Sequence, residues 1–157
     1  MKNKNKLLLV DCDGTLTSNK TFYTSEGRYL KIFSSKDSYA IKNFIRIGFT
    51  VIIISADKSG FDITKKRADD WKVETIYSPN KFETILALKK KYQPTETIFV
   101  GNGPEDIIAL TIVDSFFAPL DSTRDVLQKT KESTKAHVLN SEGGEGVLEE
   151  VFNLINK

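Results

Sequence analysis

At 157 residues and 39% hydrophobic content, the chain can bury a core in a single domain without disulfides or a structural metal. Its 23 basic and 21 acidic residues leave a net charge of +2, and no long block of one sign points to nucleic acid or an anionic membrane. Strand-like and helix-like segments then alternate. "KLLLVD" (6–11) opens as a strand, and "SNKTFYTSEGRYLKIFSSKD" reads as a β-hairpin projecting from the sheet, a flap over about residues 19–34. A helix is predicted from Ser38 to Ile47, a strand at "TVIIIS", a helix from Phe61 to Trp71, and a strand at "ETIYS". Further on come a helix from Lys81 to Tyr92, a strand at "TIFVG", a helix from Pro104 to Leu110, a weaker strand at "VDSFFAP" and a helix from Thr123 to Lys129. After the glycine-rich break "SEGGEG", a last helix covers "GVLEEVFNLINK".

The apolar runs are unbroken rather than alternating, as befits strands buried on both faces. The expected fold is therefore α/β: a Rossmann-like parallel sheet with helices on both faces, in one domain spanning residues 1–157. No Pro/Ser-rich linker divides the chain and no repeat is visible.

Other classes are disfavoured. The lysines of "LKKKY" and "LQKTKESTK" sit beside helical apolar positions and read as solvated helix faces. Cys12, the sole cysteine, cannot form an internal disulfide, and the basic start "MKNKNKLLLV" has too short an apolar run for a signal peptide, so the reducing cytoplasm is the expected setting. No stretch approaches the roughly 20 apolar residues of a membrane span. A nucleophilic Cys12 would need a base, and the only histidine, His137, lies far off in sequence.

Ligands of open α/β sheets gather at the carboxyl ends of the strands. Along that edge the sequence puts Asp11 and Asp13, then Ser55, Lys81, and finally Gly101, Asn102 and Asp106. Two aspartates at i and i+2 face one side of an extended chain. One can attack phosphorus as a carboxylate while the other handles the proton of the leaving alkoxide and then of water. Such an anionic site calls for a cation, and Mg²⁺, which favours oxygen ligands, is the natural one. Lys81 would add positive charge, the Ser55 hydroxyl a hydrogen bond, and Gly14 a turn that brings backbone N–H groups towards phosphate. Each residue alone also has an ordinary reading: a turn for "DCDG", a turn or cap for Ser55, a solvated helix start for Lys81 beside a capping Asn80, and a helix-dipole contact for Asp106.

In combination these segments resemble the haloacid dehalogenase superfamily of phosphotransferases, whose motifs match "DCDGT", "IIISAD", "SPNKFETI" and "FVGNGPEDI" in order. More narrowly, the chain is similar to the capless sugar-acid phosphatases acting on 3-deoxy-manno-octulosonate 8-phosphate and nine-carbon relatives such as N-acylneuraminate 9-phosphate. "GRYLKIFSSKDSYAIKNF", "KKRADDWKV", "NKFETI" and "GGEGV" carry that likeness. The resemblance implies Asp11 as nucleophile and Asp13 as acid/base, with Ser55, Lys81 and Gly14 on the phosphate. It implies a Mg²⁺ site at Asp11, Asp13, Asn102 and Asp106, and a cytoplasmic homotetramer in which hairpin and tail help close a neighbouring subunit's site. Arg67 falls on a family-like position and is either a contact to the substrate's carboxylate or a solvated helix charge; Asp37 and Glu145 also fall on such positions.

Two segments depart from the pattern. Gly101-Asn102-Gly103 stands where the family usually reads Gly-Asp-Asp, removing two carboxylates, so weaker metal binding is expected. Ala56-Asp57 replaces the usual Gly-Arg or Gly-Glu. The leading expectation is a Mg²⁺-dependent phosphatase acting on a 2-keto-3-deoxy sugar-acid phosphate through an aspartyl-phosphate, with no nucleic-acid or membrane partner. The alternative is a catalytically weak assembly or ligand-binding module of the kind that accompanies acylneuraminate cytidylyltransferases.

Overall fold

The computed structural model describes residues 5–157, and the basic opening, residues 1–4, lies outside them. Strands β1 (Lys6–Asp11), β4 (Phe49–Ser55), β5 (Glu74–Tyr77), β6 (Glu96–Val100), β7 (Ser115–Ala118) and β8 (Ala136–Val138) form one parallel sheet in the order β5-β4-β1-β6-β7-β8. A separate antiparallel hairpin, β2 (Phe22–Thr24) and β3 (Gly27–Leu30), occupies the expected flap. The helices are α1 (Ser35–Arg46), α2 (Phe61–Trp71), α3 (Lys81–Tyr92), α4 (Arg124–Glu132) and α5 (Val147–Ile155), with a 3₁₀ segment at Pro104–Thr111. Among the described residues no large cap interrupts this order.

Sequence explains the layering. In β1, Leu8 and Val10 join a core with Ile41, Phe44, Ala68 and Val147, while Leu7 and Leu9 join a second core with Ile85, Phe99 and Val126. Alternate side chains of one strand thus feed the two faces, covered by α1, α2 and α5 on one side and by α3, the 3₁₀ segment and α4 on the other. The unbroken apolar run puts β1 at the centre, paired with β4 and β6. Only β8 escapes the sequence reading: its three residues carry an exposed histidine and lie at the sheet edge, so they show no apolar run. Helix α1 begins earlier than expected because the Ser34 side chain accepts from the Lys36 N–H and caps it. Among the described residues no helix is long and apolar enough to cross a membrane.

Asp37, in the first turn of α1, is fully buried, and its Oδ1 accepts from the Leu148 N–H of α5 at 2.8 Å while its Oδ2 has no partner. It ties the two helices together. Burial pushes its carboxyl up to about 7, against the opposing pull of backbone N–H groups. The folded state therefore binds a proton that the unfolded state releases near 3.8, and this group's contribution to stability falls as pH rises from about 4 to 7. An amide in place of the carboxyl would keep an acceptor but not the ionisation. Relative to wild type, Asp37→Asn should gain stability across that window, by up to about 4 kcal/mol, and then level off. Denaturant melts at pH 4, 5.5, 7 and 8 read this directly, and a pH-independent difference between the two proteins contradicts it.

Candidate active site

Strand β1 delivers Asp11 to the carboxyl edge, opposite Ile54 in register, so Asp11 and Ser55 finish neighbouring strands. The Asn80 side chain accepts from the Glu83 N–H and caps α3, making Lys81 its first residue. From there the buried Lys81 Nζ donates to Asp11 Oδ1 at 2.6 Å and to Asp106 Oδ1 at 2.5 Å. Lys81 is no solvated helix residue; it bridges groups 70 and 25 positions away in sequence. Asp106 also orders the preceding loop, its Oδ2 accepting from the N–H groups of Asn102 (2.9 Å) and Gly103 (3.0 Å). A Cβ on Gly101 would stand 2.6 Å from that carboxyl group, so only glycine fits there.

Two buried carboxylates share one ammonium. Burial, and then the charge of Asp106, push Asp11 up to about 8, although Lys81 pulls the other way. Burial likewise raises Asp106 above the usual carboxylate range. Burial alone would lower Lys81, but Asp11 and Asp106 outweigh it and hold the ammonium above its ordinary value. The cluster is short of positive charge. Carboxylate oxygens of Asp11, Glu105 and Asp106 all lie within 4.8 Å of one another, and a single lysine, paired with Asp11 and Asp106, stands among the three. An all-oxygen set with a formal deficit of two positive charges suits a hard divalent cation.

The Asn102 amide is oriented by its neighbours. Asn19 Nδ2 donates to Asp121, which turns Asn19 Oδ1 towards Asn102 Nδ2 at 3.0 Å. Asn102 Oδ1 thereby faces the Thr15 hydroxyl at 3.3 Å, and the same hydroxyl lies 3.5 Å from Asp11 Oδ2. Position 102 thus still aims an oxygen at the Asp11 side, without the charge.

After Asp11 the chain enters a wide turn, Cys12–Leu16, in which Gly14 has φ +82°. A Cβ at Gly14 would meet Asn102 Nδ2 at 2.0 Å, so glycine meets both the backbone and the packing demand. Cys12 takes helical torsions, and this breaks the extended geometry that the i, i+2 spacing led one to expect. Asp11 turns to Lys81, whereas Asp13 turns to the hairpin, pairing with Arg28 (2.8 Å) and Lys31 (3.0 Å). Both cations also pair with Asp57, Lys31 at 3.0 Å. The flap of this chain therefore sits on its own turn. So does the tail: the Gly144 N–H donates to the Thr15 carbonyl at 3.0 Å, and a Cβ on Gly143 would lie 2.1 Å from the Gly14 oxygen.

The buried Ser55 hydroxyl accepts from the Asp57 N–H at 3.2 Å, leaving its proton for another acceptor. Arg67 stands apart from the Lys81 cluster. It donates to Ser38 at 2.9 Å, stacks 4.5 Å from the Trp71 ring, and borders a groove of about 450 Å³ with Phe33, Ile63 and Lys66. Glu145 is exposed in the tail. Cys12 is fully buried, contacts the Thr64 hydroxyl at 3.3 Å, and is pushed up to about 12 by burial and then by Asp13, while His137 lies on β8, three strands from β1. That excludes a thiolate–imidazole pair.

Several residues here were not singled out in the sequence as site residues: Glu105, Arg28 and Lys31 with Asp57 as their partner, and Thr15 and Asn19 around the Asn102 amide. The one available signal was substitution, since Gly103 and Asp57 both stand where the family pattern carries other chemistry.

The fold is shared with solved hydrolases of the haloacid dehalogenase type. The chain is similar over nearly its whole length to 3-deoxy-D-manno-octulosonate 8-phosphate phosphatases. The phosphatase KdsC of Haemophilus influenzae is 25% identical over 154 residues, 96% of this chain and 82% of that protein. The cobalt-bound structure of the H. influenzae phosphatase superposes with a TM-score of 0.86 at 25% identity, covering 98% of this chain and 88% of that one. The Moraxella catarrhalis phosphatase in complex with magnesium, phosphate and KDO shares the fold at 24% identity, TM-score 0.82, covering 98% and 87%. No protein-family model matches the chain.

Proposed function

We propose that the protein is a Mg²⁺-dependent phosphatase releasing inorganic phosphate from a 2-keto-3-deoxy sugar-acid phosphate, with the eight-carbon 8-phosphate as its first substrate. The observation that carries this reading is Lys81, buried between Asp11 and Asp106 at the sheet's carboxyl edge. Burying an ammonium and two carboxylates is costly, and a fold that does so beside an i, i+2 aspartate pair has a chemical use for them. The relatives named for octulosonate 8-phosphate favour the eight-carbon acid over the nine-carbon ones.

In this reading the Asp11 carboxylate attacks phosphorus in line with the leaving oxygen. The phosphorus–sugar oxygen bond breaks, and Asp13, which must leave its pairs with Arg28 and Lys31 and enter the step protonated, gives its proton to the departing alkoxide. Asp13 then takes a proton from water, whose oxygen attacks the phosphorus; the phosphorus–Asp11 bond breaks and inorganic phosphate leaves. The Lys81 ammonium and Ser55 hydroxyl hold phosphoryl oxygens, and the Gly14 turn brings backbone close to them. Asp11, Glu105 and Asp106 offer carboxylate oxygens for Mg²⁺, with the Asn102 amide oxygen aimed at the Asp11 side through the Thr15 hydroxyl; the Asp13 carboxylate, expected in this set, is paired with Arg28 and Lys31 instead. When bound, the ion would supply the missing positive charge and polarise a phosphoryl oxygen. In the structure Arg28 and Lys31 hold Asp13 on the hairpin side of the turn. A cytoplasmic homotetramer, with Arg67 reaching a substrate carboxylate across a subunit boundary, is part of the same reading.

Asn102 favours a second reading, a binding module with little turnover. The two separate in one assay: phosphate release from eight- and nine-carbon sugar-acid phosphates, with Mg²⁺ and with EDTA. Metal-dependent release supports the phosphatase. Release no faster than that of Asp11→Asn supports the module.

A further inference from the structure

Gly103 has no backbone reason to be glycine. Its φ of −102° is open to any L-residue. Its missing side chain is instead filled from two residues on: a Cβ built there would lie 2.6 and 2.7 Å from the two carboxylate oxygens of Glu105. Glu105 therefore folds back over Gly103, into the volume that a side chain at 103 would claim. From that place it reaches the Asp11 and Asp106 carboxylates, with oxygens of all three within 4.8 Å of one another. The loop carries no acidic group at 102 or 103, and Glu105 brings one to that place.

On the reading of a Mg²⁺ phosphatase given above, we propose that Glu105 is the carboxylate that restores charge to the cation site, standing in for the acidic side chain absent at position 103. Pro104 fixes the chain between them, so the substitution is a change of donor position within one loop. Glycine at 103 and glutamate at 105 form a matched pair. An acidic side chain at 103 and the present Glu105 would compete for one volume and repel each other, and a glycine at 103 without Glu105 would leave the cluster with Asp11 and Asp106 alone.

The test is calorimetric titration of Mg²⁺ into metal-free protein, with no substrate present. Glu105 is exposed, so Glu105→Gln should melt like wild type while binding Mg²⁺ about 10-fold or more weakly. Glu105→Ala should lose as much affinity and also empty the volume over Gly103, so Gly103→Asp combined with Glu105→Ala should recover most of that loss. Wild-type affinity in Glu105→Gln overturns the inference and leaves the phosphatase reading to stand on its metal-dependent turnover. A double variant no tighter than Glu105→Ala overturns the claim that the two positions share one place. If wild type binds no Mg²⁺ and its turnover survives EDTA, the metal reading and this inference fall together.

Discussion

Asp11→Asn is expected to lower phosphate release by about 10⁴-fold or more, with the fold intact. The amide is isosteric but is no nucleophile towards phosphorus, and removing a nucleophile that acts as one unit with its acid/base leaves only residual binding and electrostatic catalysis. Stability should not suffer. Lys81 keeps its contact with Asp106, and one of two mutually repelling buried carboxylates is gone. A loss of rate without a loss of melting temperature separates a chemical role from a structural one. The sharper measurement is trapping. Wild type mixed with radiolabelled substrate and quenched in acid should carry hydroxylamine-labile phosphate on the protein, and Asp11→Asn should carry none. Equal turnover by the two proteins would remove Asp11 from the mechanism.

How far this was legible beforehand differs from residue to residue. The central strands announce themselves because β1, β4 and β6 are buried on both faces and need continuous apolar runs; β8, at the edge with His137 outward, does not. Asp11, Ser55, Lys81 and Asp106 follow from strand ends, since a parallel sheet brings those ends to one side whatever their separation in sequence. Electrostatic partners outside the strand ends are harder to read. Nothing in the local pattern at Arg28 and Lys31 says that the hairpin folds back onto Asp13 and Asp57, because flap orientation is set by ion pairs made only after folding. Glu105 was hidden for a related reason. It looks like an exposed helix-start acid, and its meaning comes from the empty volume over Gly103. Asp37 looks in sequence like one more family-like acid, and its contact with α5 appears only in the assembled fold.

Lys81→Met should be the most destabilising single change in the site, costing about 3–5 kcal/mol at neutral pH. Methionine matches the aliphatic stem but leaves Asp11 and Asp106 buried, close together and without their shared cation. For a chain of this length that is a fall of roughly 10 °C in melting temperature. The pH dependence carries the diagnosis. Without Lys81, both carboxyls in the folded state hold their protons more tightly still, whereas the unfolded chain releases them near 3.8, so the variant's deficit should grow as pH rises and shrink towards pH 4. Adding Asp106→Asn should recover much of the loss at pH 7.5, because one buried charge then disappears with its partner, and the recovery should exceed any effect of Asp106→Asn alone. Denaturant midpoints in EDTA at pH 4.5 and 7.5 for the four proteins complete the cycle. If Lys81→Met unfolds at the wild-type midpoint at pH 7.5, the three charges do not depend on one another in the folded protein, and the electrostatic account of this site fails at its centre.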